Sequence, residues 1–179
     1  VSQELFFVEN RDKTELLLSL LSETHGSVLV FTRTKMAAKR LARQIRNESN
    51  HSAMELHSDR SQSQRRDAME GFRIGRYRVL VATDIAARGI DVTGIELVVN
   101  YDLPANGEDY VHRIGRTGRA GAVGHAISFA MPHQRSEVKA IEQVIRTAVR
   151  VSPLPSLGHP KKEKGQRRRS HQVSRLQNR

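Results

Sequence analysis

Residues 78–91 read Arg78-Val79-Leu80-Val81-Ala82-Thr83-Asp84-Ile85-Ala86-Ala87-Arg88-Gly89-Ile90-Asp91, and this stretch decides the fold. Its first part, RVLVA, is an unbroken run of the kind found in a parallel strand covered by helices on both faces; a half-exposed strand would alternate instead. A hydroxyl and a carboxylate, Thr83 and Asp84, follow where such a strand must end. The same pattern occurs upstream, where Val28-Leu29-Val30-Phe31 runs into Thr32-Arg33-Thr34-Lys35. Further strands are expected at 5–8, 53–57, 95–101 and 122–131. Helical periodicity fills the gaps between them. It covers 13–21, then 35–46 with Met36, Ala37, Leu41, Ala42 and Ile45, then 62–74 with Met69 and Phe72 on one side. A short helix at 110–114 and a final one at 133–147 complete the pattern. Strands alternating with helices predict an α/β fold with a mostly parallel central sheet. Ligands of such folds bind beyond the carboxyl ends of the strands. That rule selects 32–35, 57–59, 83–91, 101–102 and the loop at 115–121.

The 179 residues carry 30 Lys and Arg against 19 Asp and Glu, a net charge of +11. A basic balance of this size favours a polyanionic partner, most often nucleic acid. The charge is skewed. Residues 152–179 hold eight cations and one acid, 8 − 1 = +7, which leaves 11 − 7 = +4 for residues 1–151. Pro153, Pro155, Gly158 and Pro160 precede the basic run, and the segment has too few apolar residues to offset the entropy of ordering. The reading is one domain over 1–151 and a largely disordered basic tail over 152–179. No cysteine is present, which excludes disulfide frameworks, thiol catalysis and Cys-ligated zinc. No apolar run approaches the ~20 residues of a membrane span, and VSQELFFVENRDK lacks the apolar core of a signal peptide. A cytoplasmic location without membrane contact is expected. The chain begins without Met, as a fragment would.

The segment richest in chemistry is His112-Arg113-Ile114-Gly115-Arg116-Thr117-Gly118-Arg119. Its glycines allow a tight turn beside a ligand. Arg116 and Arg119 can reach one anion from one turn, and a planar guanidinium suits phosphate oxygens. A solvated basic loop is the plain alternative. In 82–91, Thr83 offers a hydroxyl at a strand end and Asp91 could accept from a ribose, although a strand ending in Thr-Asp is more often structural. The start of the helix at Gln62 could receive phosphate on its free amides, or Ser61 and Ser63 could merely cap it. No G-x-x-x-x-G-K-[ST] occurs, so the chain has no phosphate-cradling P-loop. Neither a paired-carboxylate site, a Ser-His-Asp arrangement nor a zinc-spaced His pair is evident, so no metal site is expected.

Taken together and in order, FTRTK (31–35), QSQR (62–65), ATDIAARGID (82–91), YDLP (101–104) and HRIGRTGR (112–119) closely resemble the carboxyl-terminal RecA-like domain of DEAD-box RNA helicases, in detail the bacterial members. The resemblance covers about residues 1–150. It implies a RecA-like domain that closes, with a second, amino-terminal RecA-like domain, over ATP and single-stranded RNA. Arg116 and Arg119 would be arginine fingers on the γ-phosphate. Asp91 would contact the ribose, with Gly89 beside the nucleotide, and His112 would link the ATP site to the other domain. Arg33, Gln62, Arg65, Thr83 and Gly89 would line the RNA backbone. The P-loop, the DEAD box and most of the magnesium site would belong to the amino-terminal domain, so this chain alone would be inactive. Where the family usually has His-Gly-Asp, this chain has His57-Ser58-Asp59, and a serine there could alter a positive-φ turn. Two alternatives stay open: a non-catalytic nucleic-acid-binding module, against which the complete 112–119 segment argues, and a DNA-acting helicase, against which YDLP and ARGID argue.

Overall fold

The computed structural model describes residues 1–89, 91–92, 94–119 and 121–158. Strands β1 (Ser2–Phe7), β2 (Val28–Phe31), β3 (Ala53–Leu56), β4 (Val79–Ala82), β5 (Leu97–Asn100), β6 (His125–Ala130) and β7 (Arg150–Val151) form one sheet in the order β3-β4-β2-β5-β6-β1-β7. Every strand pairing in it is parallel, as expected of buried apolar runs joined by helical crossovers. Helices α1 (Lys13–Glu23), α2 (Lys35–Glu48), α3 (Gln62–Arg73), α4 (Asp84–Ala87), α5 (Gly107–Ile114) and α6 (Arg135–Ile145) cover the two faces.

Strand alternation divides the core between those faces. Val28, Val30, Val79, Val81, Leu97 and Val99 pack with Leu16, Leu17 and Leu21 of α1 and Leu41, Ala42 and Ile45 of α2. Leu29, Phe31, Leu80, Ala82 and Val98 point the other way, to Ala68 and Phe72 of α3 and Ala86 and Ala87 of α4. Leu103, Tyr110, Ile114, Val138 and Ile141 complete that side through α5 and α6. Side-chain caps set the starts of α2, α3 and α5. Thr34 accepts from the Ala37 N–H (3.1 Å), Asn106 accepts from the Asp109 N–H (2.8 Å), and Ser61 and Gln64 form a reciprocal capping box on α3.

The expected α/β architecture is the one observed, with differences at the element ends. Met36 does not face the core: it is 67% exposed, and the buried stripe of α2 is Ala38, Leu41, Ala42 and Ile45. The strand expected over 95–101 is confined to 97–100 and that over 122–131 to 125–130. Both apolar stretches run on beyond the residues that find a ladder partner. The one-turn helix α4 and the two-residue strand β7 are too short to carry a period, and the sequence pattern does not mark them. Residues 152–158 form neither helix nor strand but lie on the domain, where Ser152 is buried and Leu157 packs against the α1 side of the core. The rest of the expected tail, 159–179, lies outside the described residues.

Candidate functional site

Three strand ends meet beyond the carboxyl edge of the sheet, and one buried arginine ties them together. Arg113, in the last turn of α5, is 3% exposed. Its Nε and Nη2 donate to the two carboxylate oxygens of Asp84 (2.6 and 2.7 Å), the first residue of α4. Its Nη1 donates to Asn100 Oδ1 (3.2 Å) and to the Asp102 carbonyl (2.7 Å), both at the end of β5. The guanidinium carbon stands 5.0 Å from the centre of the Phe31 ring at the end of β2. A forked Arg–carboxylate pair of this kind is strong and geometrically specific. Asn100 passes the network on by donating to Ser128 Oγ (3.0 Å). In the sequence Arg113 is one of three arginines in a basic segment; in the fold it is the member that holds the segment in place.

The turn after α5 is built to hold the other two arginines. Thr117 is buried, donates its hydroxyl to the Ile95 carbonyl and pairs with Ile95 as an isolated bridge. Gly118 has φ +69°, and a Cβ placed on Gly124 would overlap the Gly118 nitrogen, so the two backbones touch. Arg116 and Arg119 flank this anchored threonine. Arg119 is exposed, with Nε donating to the Gly115 carbonyl (2.7 Å). Arg116 is half-buried and lines a cleft of about 270 Å³ with His112, Phe31, Asp84, Arg88 and Gly89. His112 is exposed.

A second cleft, of about 600 Å³, adjoins the first and shares Arg88 and Gly89 with it. Gln62, Arg65 and Asp91 line it, and Met69 and Val92 supply apolar wall. Gly89, at φ +83°, makes the turn between the two clefts. The structure thus brings Gln62, Arg65, Gly89 and Asp91 together, and sets Gly89, His112 and Arg116 beside them. Asp91 lines the second cleft with Gln62 and Arg65. Thr83 is half-buried at the start of α4 and its hydroxyl does not cap that helix. Arg33 is exposed farther along the same edge, with its backbone N–H held by Asp102 Oδ2 (2.9 Å).

Asp102, in the 101–102 stretch just past β5, ties that strand end to the first turn of α1. Its other carboxylate oxygen accepts from Lys13 Nζ (3.1 Å), a lysine only 1% exposed that also lies 5.4 Å from the Tyr101 ring centre. Tyr101 in turn pairs with Thr14 through its hydroxyl (2.9 Å), and burial raises its pKa. The signal available for Asp102 is its position two residues past the apolar strand β5; nothing in the helical pattern at 13–21 marks Lys13 as its partner. Ser58 is exposed on ordinary backbone, since Arg146 is the only non-glycine residue at positive φ among the described residues. Ser58 thus does not take the positive φ that a glycine at that turn would permit. Asp59 pairs with Lys35 (3.0 Å). His57 is buried with no partner at either ring nitrogen, and burial lowers its pKa against the opposing pull of Glu55 and Asp59. Among the described residues no three His, Asp or Glu side chains converge as a metal site, and no helix is long and apolar enough to cross a membrane.

Comparison with known proteins gives this geometry a family. Residues 12–121 match the model of the helicase conserved C-terminal domain. The fold superposes on the Escherichia coli DEAD-box protein SrmB, solved bound to regulator of ribonuclease activity A. The TM-score is 0.80 at 34% identity, over 86% of this chain and 91% of that one. A DEAD box protein from Methanococcus jannaschii matches at TM-score 0.80 and 38% identity, over 86% of this chain and 42% of that one. Saccharomyces cerevisiae Dbp5, solved with RNA and ADP BeF3, matches at 0.79 and 35%, again over 86% and 42%. The chain therefore spans most of the SrmB chain and less than half of the other two. On the family match, the identity and the shared fold together, the chain belongs to the helicase conserved C-terminal domains, in the group formed by DEAD-box proteins.

Proposed function

We propose that the chain works as the second RecA-like domain of an ATP-dependent RNA helicase in the cytoplasm, closing with an amino-terminal RecA-like domain over ATP and single-stranded RNA. One observation carries the reading: Arg113 is fully engaged inside the domain, and the segment it holds carries Arg116 into a cleft and leaves Arg119 at the surface. Such a segment carries two further guanidinium groups and, in this sequence, no glycine-rich lysine loop to receive a triphosphate. The complementary loop would come from the other domain, together with most of the magnesium site.

In the closed state Arg116 and Arg119 would stabilise charge on the transferred γ-phosphoryl group, with little covalent work left to the protein. The Thr117 anchor and the Gly118–Gly124 contact fix the backbone that carries both side chains. Asp91, across the shared Arg88–Gly89 wall, would accept from the ribose. His112, exposed beside Arg116, would meet the other domain. Arg33, Thr83, Gly89, Gln62 and Arg65 lie in that succession along the carboxyl edge, from the β2 end to the start of α3, and would grip phosphate and sugar with little base selectivity. Support from relatives is direct on one point: Dbp5 was solved with RNA and a nucleotide analogue.

The test is made in a protein that joins this chain to a P-loop RecA-like domain. R116A and R119A should each lower RNA-stimulated ATP turnover by roughly 10³-fold, the low end for arginine fingers. The melting temperature should stay within a degree or two. Lysine should not rescue, because the planar fork is lost. The chain by itself should turn over no ATP with or without RNA. Near-normal turnover in both alanine variants would reduce the loop to a basic surface.

A further inference from the structure

Residues 1–151 carry a net charge of +4, and one helix accounts for all of it. Helix α2 holds Lys35, Lys39, Arg40, Arg43 and Arg46 against Glu48, 5 − 1 = +4, so the remainder of residues 1–151 sums to 4 − 4 = 0. Ala38, Leu41, Ala42 and Ile45 of this helix face the core, and all five cations are exposed. Lys35, Lys39 and Arg43 recur at every fourth position and Arg46 follows three further on, so the four line up along the helix over roughly 16 Å. The end members are paired, Lys35 with Asp59 (3.0 Å) and Arg46 with Glu55 (3.2 Å). Lys39, Arg40 and Arg43 form no ion pair among the described residues. The fold gives no reason for such a stripe. Like charges four apart on a helix oppose its formation. The first turn of α2 contains no acid, and cations near a helix amino terminus stand against its dipole.

The course of α2 supplies the reason. It connects β2 to β3 in a parallel sheet, so it begins at the carboxyl edge and returns along the flank of the domain to the amino edge. Its first residue is two beyond Arg33, with the Thr34 cap between them. We infer that α2 is a second phosphate-binding face: RNA held at the carboxyl edge runs on past Arg33 and lays its backbone along Lys39, Arg40 and Arg43. The inference rests on the RNA reading above. A protein partner fits the face less well. Protein interfaces gather apolar and aromatic side chains at their centre and deplete charge there, whereas among the described residues of α2 only Met36, in the first turn, is a large apolar side chain exposed to solvent. Exposed cations without an apolar centre suit phosphates, and contacts of that kind add affinity that is sensitive to salt and blind to base sequence. Lys35 and Arg46, each already held by a carboxylate, mark the two ends of the face.

The test compares the complete 179-residue chain with K39Q/R40Q/R43Q, three exposed positions at which glutamine preserves the helix. A control, K139Q/R146N/R150Q, removes the same charge from α6, its carboxyl end and β7; these positions are exposed too, and asparagine tolerates the positive φ of Arg146. Melting temperatures of the three proteins should agree, and residues 159–179 are common to all of them, so their charge cancels in the comparison. Affinity for uridine oligonucleotides is measured against salt at increasing oligonucleotide length. On the shortest that bind, the three proteins should give the same slope of log affinity against log salt. As length grows, the slope should steepen for the unaltered chain and the control. That of K39Q/R40Q/R43Q should fall short of theirs by about 2, from three lost phosphate contacts at ~0.7 each. Equal slopes for K39Q/R40Q/R43Q and the unaltered chain at every length would make the stripe a solvated face or a seat for an acidic protein. That result, an equal loss in the control, or a loss already complete on the shortest oligonucleotides would each overturn the inference while leaving the RNA reading intact. No binding of the unaltered chain to RNA of any length would overturn the RNA reading and this inference with it.

Discussion

Two arginines, Arg113 buried and Arg78 half-buried, stand at opposite edges of the same sheet, and their surroundings differ in kind. Arg113, at the carboxyl edge, is bound by a carboxylate fork and lies among exposed cations, two clefts and glycine turns. Arg78, at the amino edge, is bound mainly by carbonyls: those of Leu21 and Thr24 at the end of α1 and of Gly26 beyond it, with His51 completing the shell. A side chain added to Gly26 would run into Glu96, so that edge is also closed by packing. Arg78 collects the free carbonyls of a helix terminus, as a cation there should. Both residues are arginines next to buried strands, yet one holds a site in position and the other closes a helix end. The difference lies in the partners: a carboxylate fixes the direction of the guanidinium and of the segment that carries it, whereas carbonyls only need their lone pairs satisfied.

The largest effect should come from breaking the first arrangement. R113A leaves Asp84 and Asn100 without their partner and should cost about 3 kcal/mol, at the lower end for losing one side of a buried pair because Asp84 is partly exposed. Denaturant unfolding measures it. In the two-domain protein the same change should lower ATP turnover even though Arg113 touches no substrate, by freeing the segment that carries Arg116. A double-mutant cycle with D84A should show coupling between the two positions. R78A should cost less, roughly 1–2 kcal/mol, because water can reach the carbonyls it leaves, and should leave turnover per folded molecule unchanged. If R78A lowered turnover as much as R113A does, the division between the two edges would not hold.

The smallest expected effect is a dependence on pH, to which each edge contributes one histidine. The Arg78 guanidinium can only donate, so the His51 nitrogen facing it must stay unprotonated; burial first and the charge of Arg78 second lower the His51 pKa below its usual 6.5. Burial likewise lowers that of His57. A histidine with a depressed folded pKa contributes stability that is fully present above pH 6.5 and is lost as pH falls through its folded value. Denaturation midpoints should therefore decline on acidification below 6.5, and H51Q should remove part of the decline. A midpoint flat from pH 7.5 to the onset of carboxylate titration near ~4 would sink this account.

Much of the molecule is readable from one chain of letters, for a physical reason. A strand buried on both faces must be apolar throughout, so 28–31 and 79–82 declare themselves, and parallel order follows from the helical stretches between them. The carboxyl-edge rule then points to Arg33, Thr83, Asp91 and the loop at 115–121 without any structure. Which polar side chain meets which cannot be read in this way. Arg113, Arg116 and Arg119 are identical in composition and within seven residues; only the positions of Asp84, Asn100 and Phe31, 13 to 82 residues away in sequence, determine that the first turns inward. Lys13 looks like the first residue of an ordinary helix until Asp102 is placed beside it. The grouping of Asp91 with Gln62 and Arg65, and the route of 152–158 to the first turn of α1, likewise depend on packing between distant segments. Local pattern reports whether a residue can be buried and in what secondary structure; the partner that makes burial of a charge tolerable is a long-range choice, and only the tertiary structure makes it.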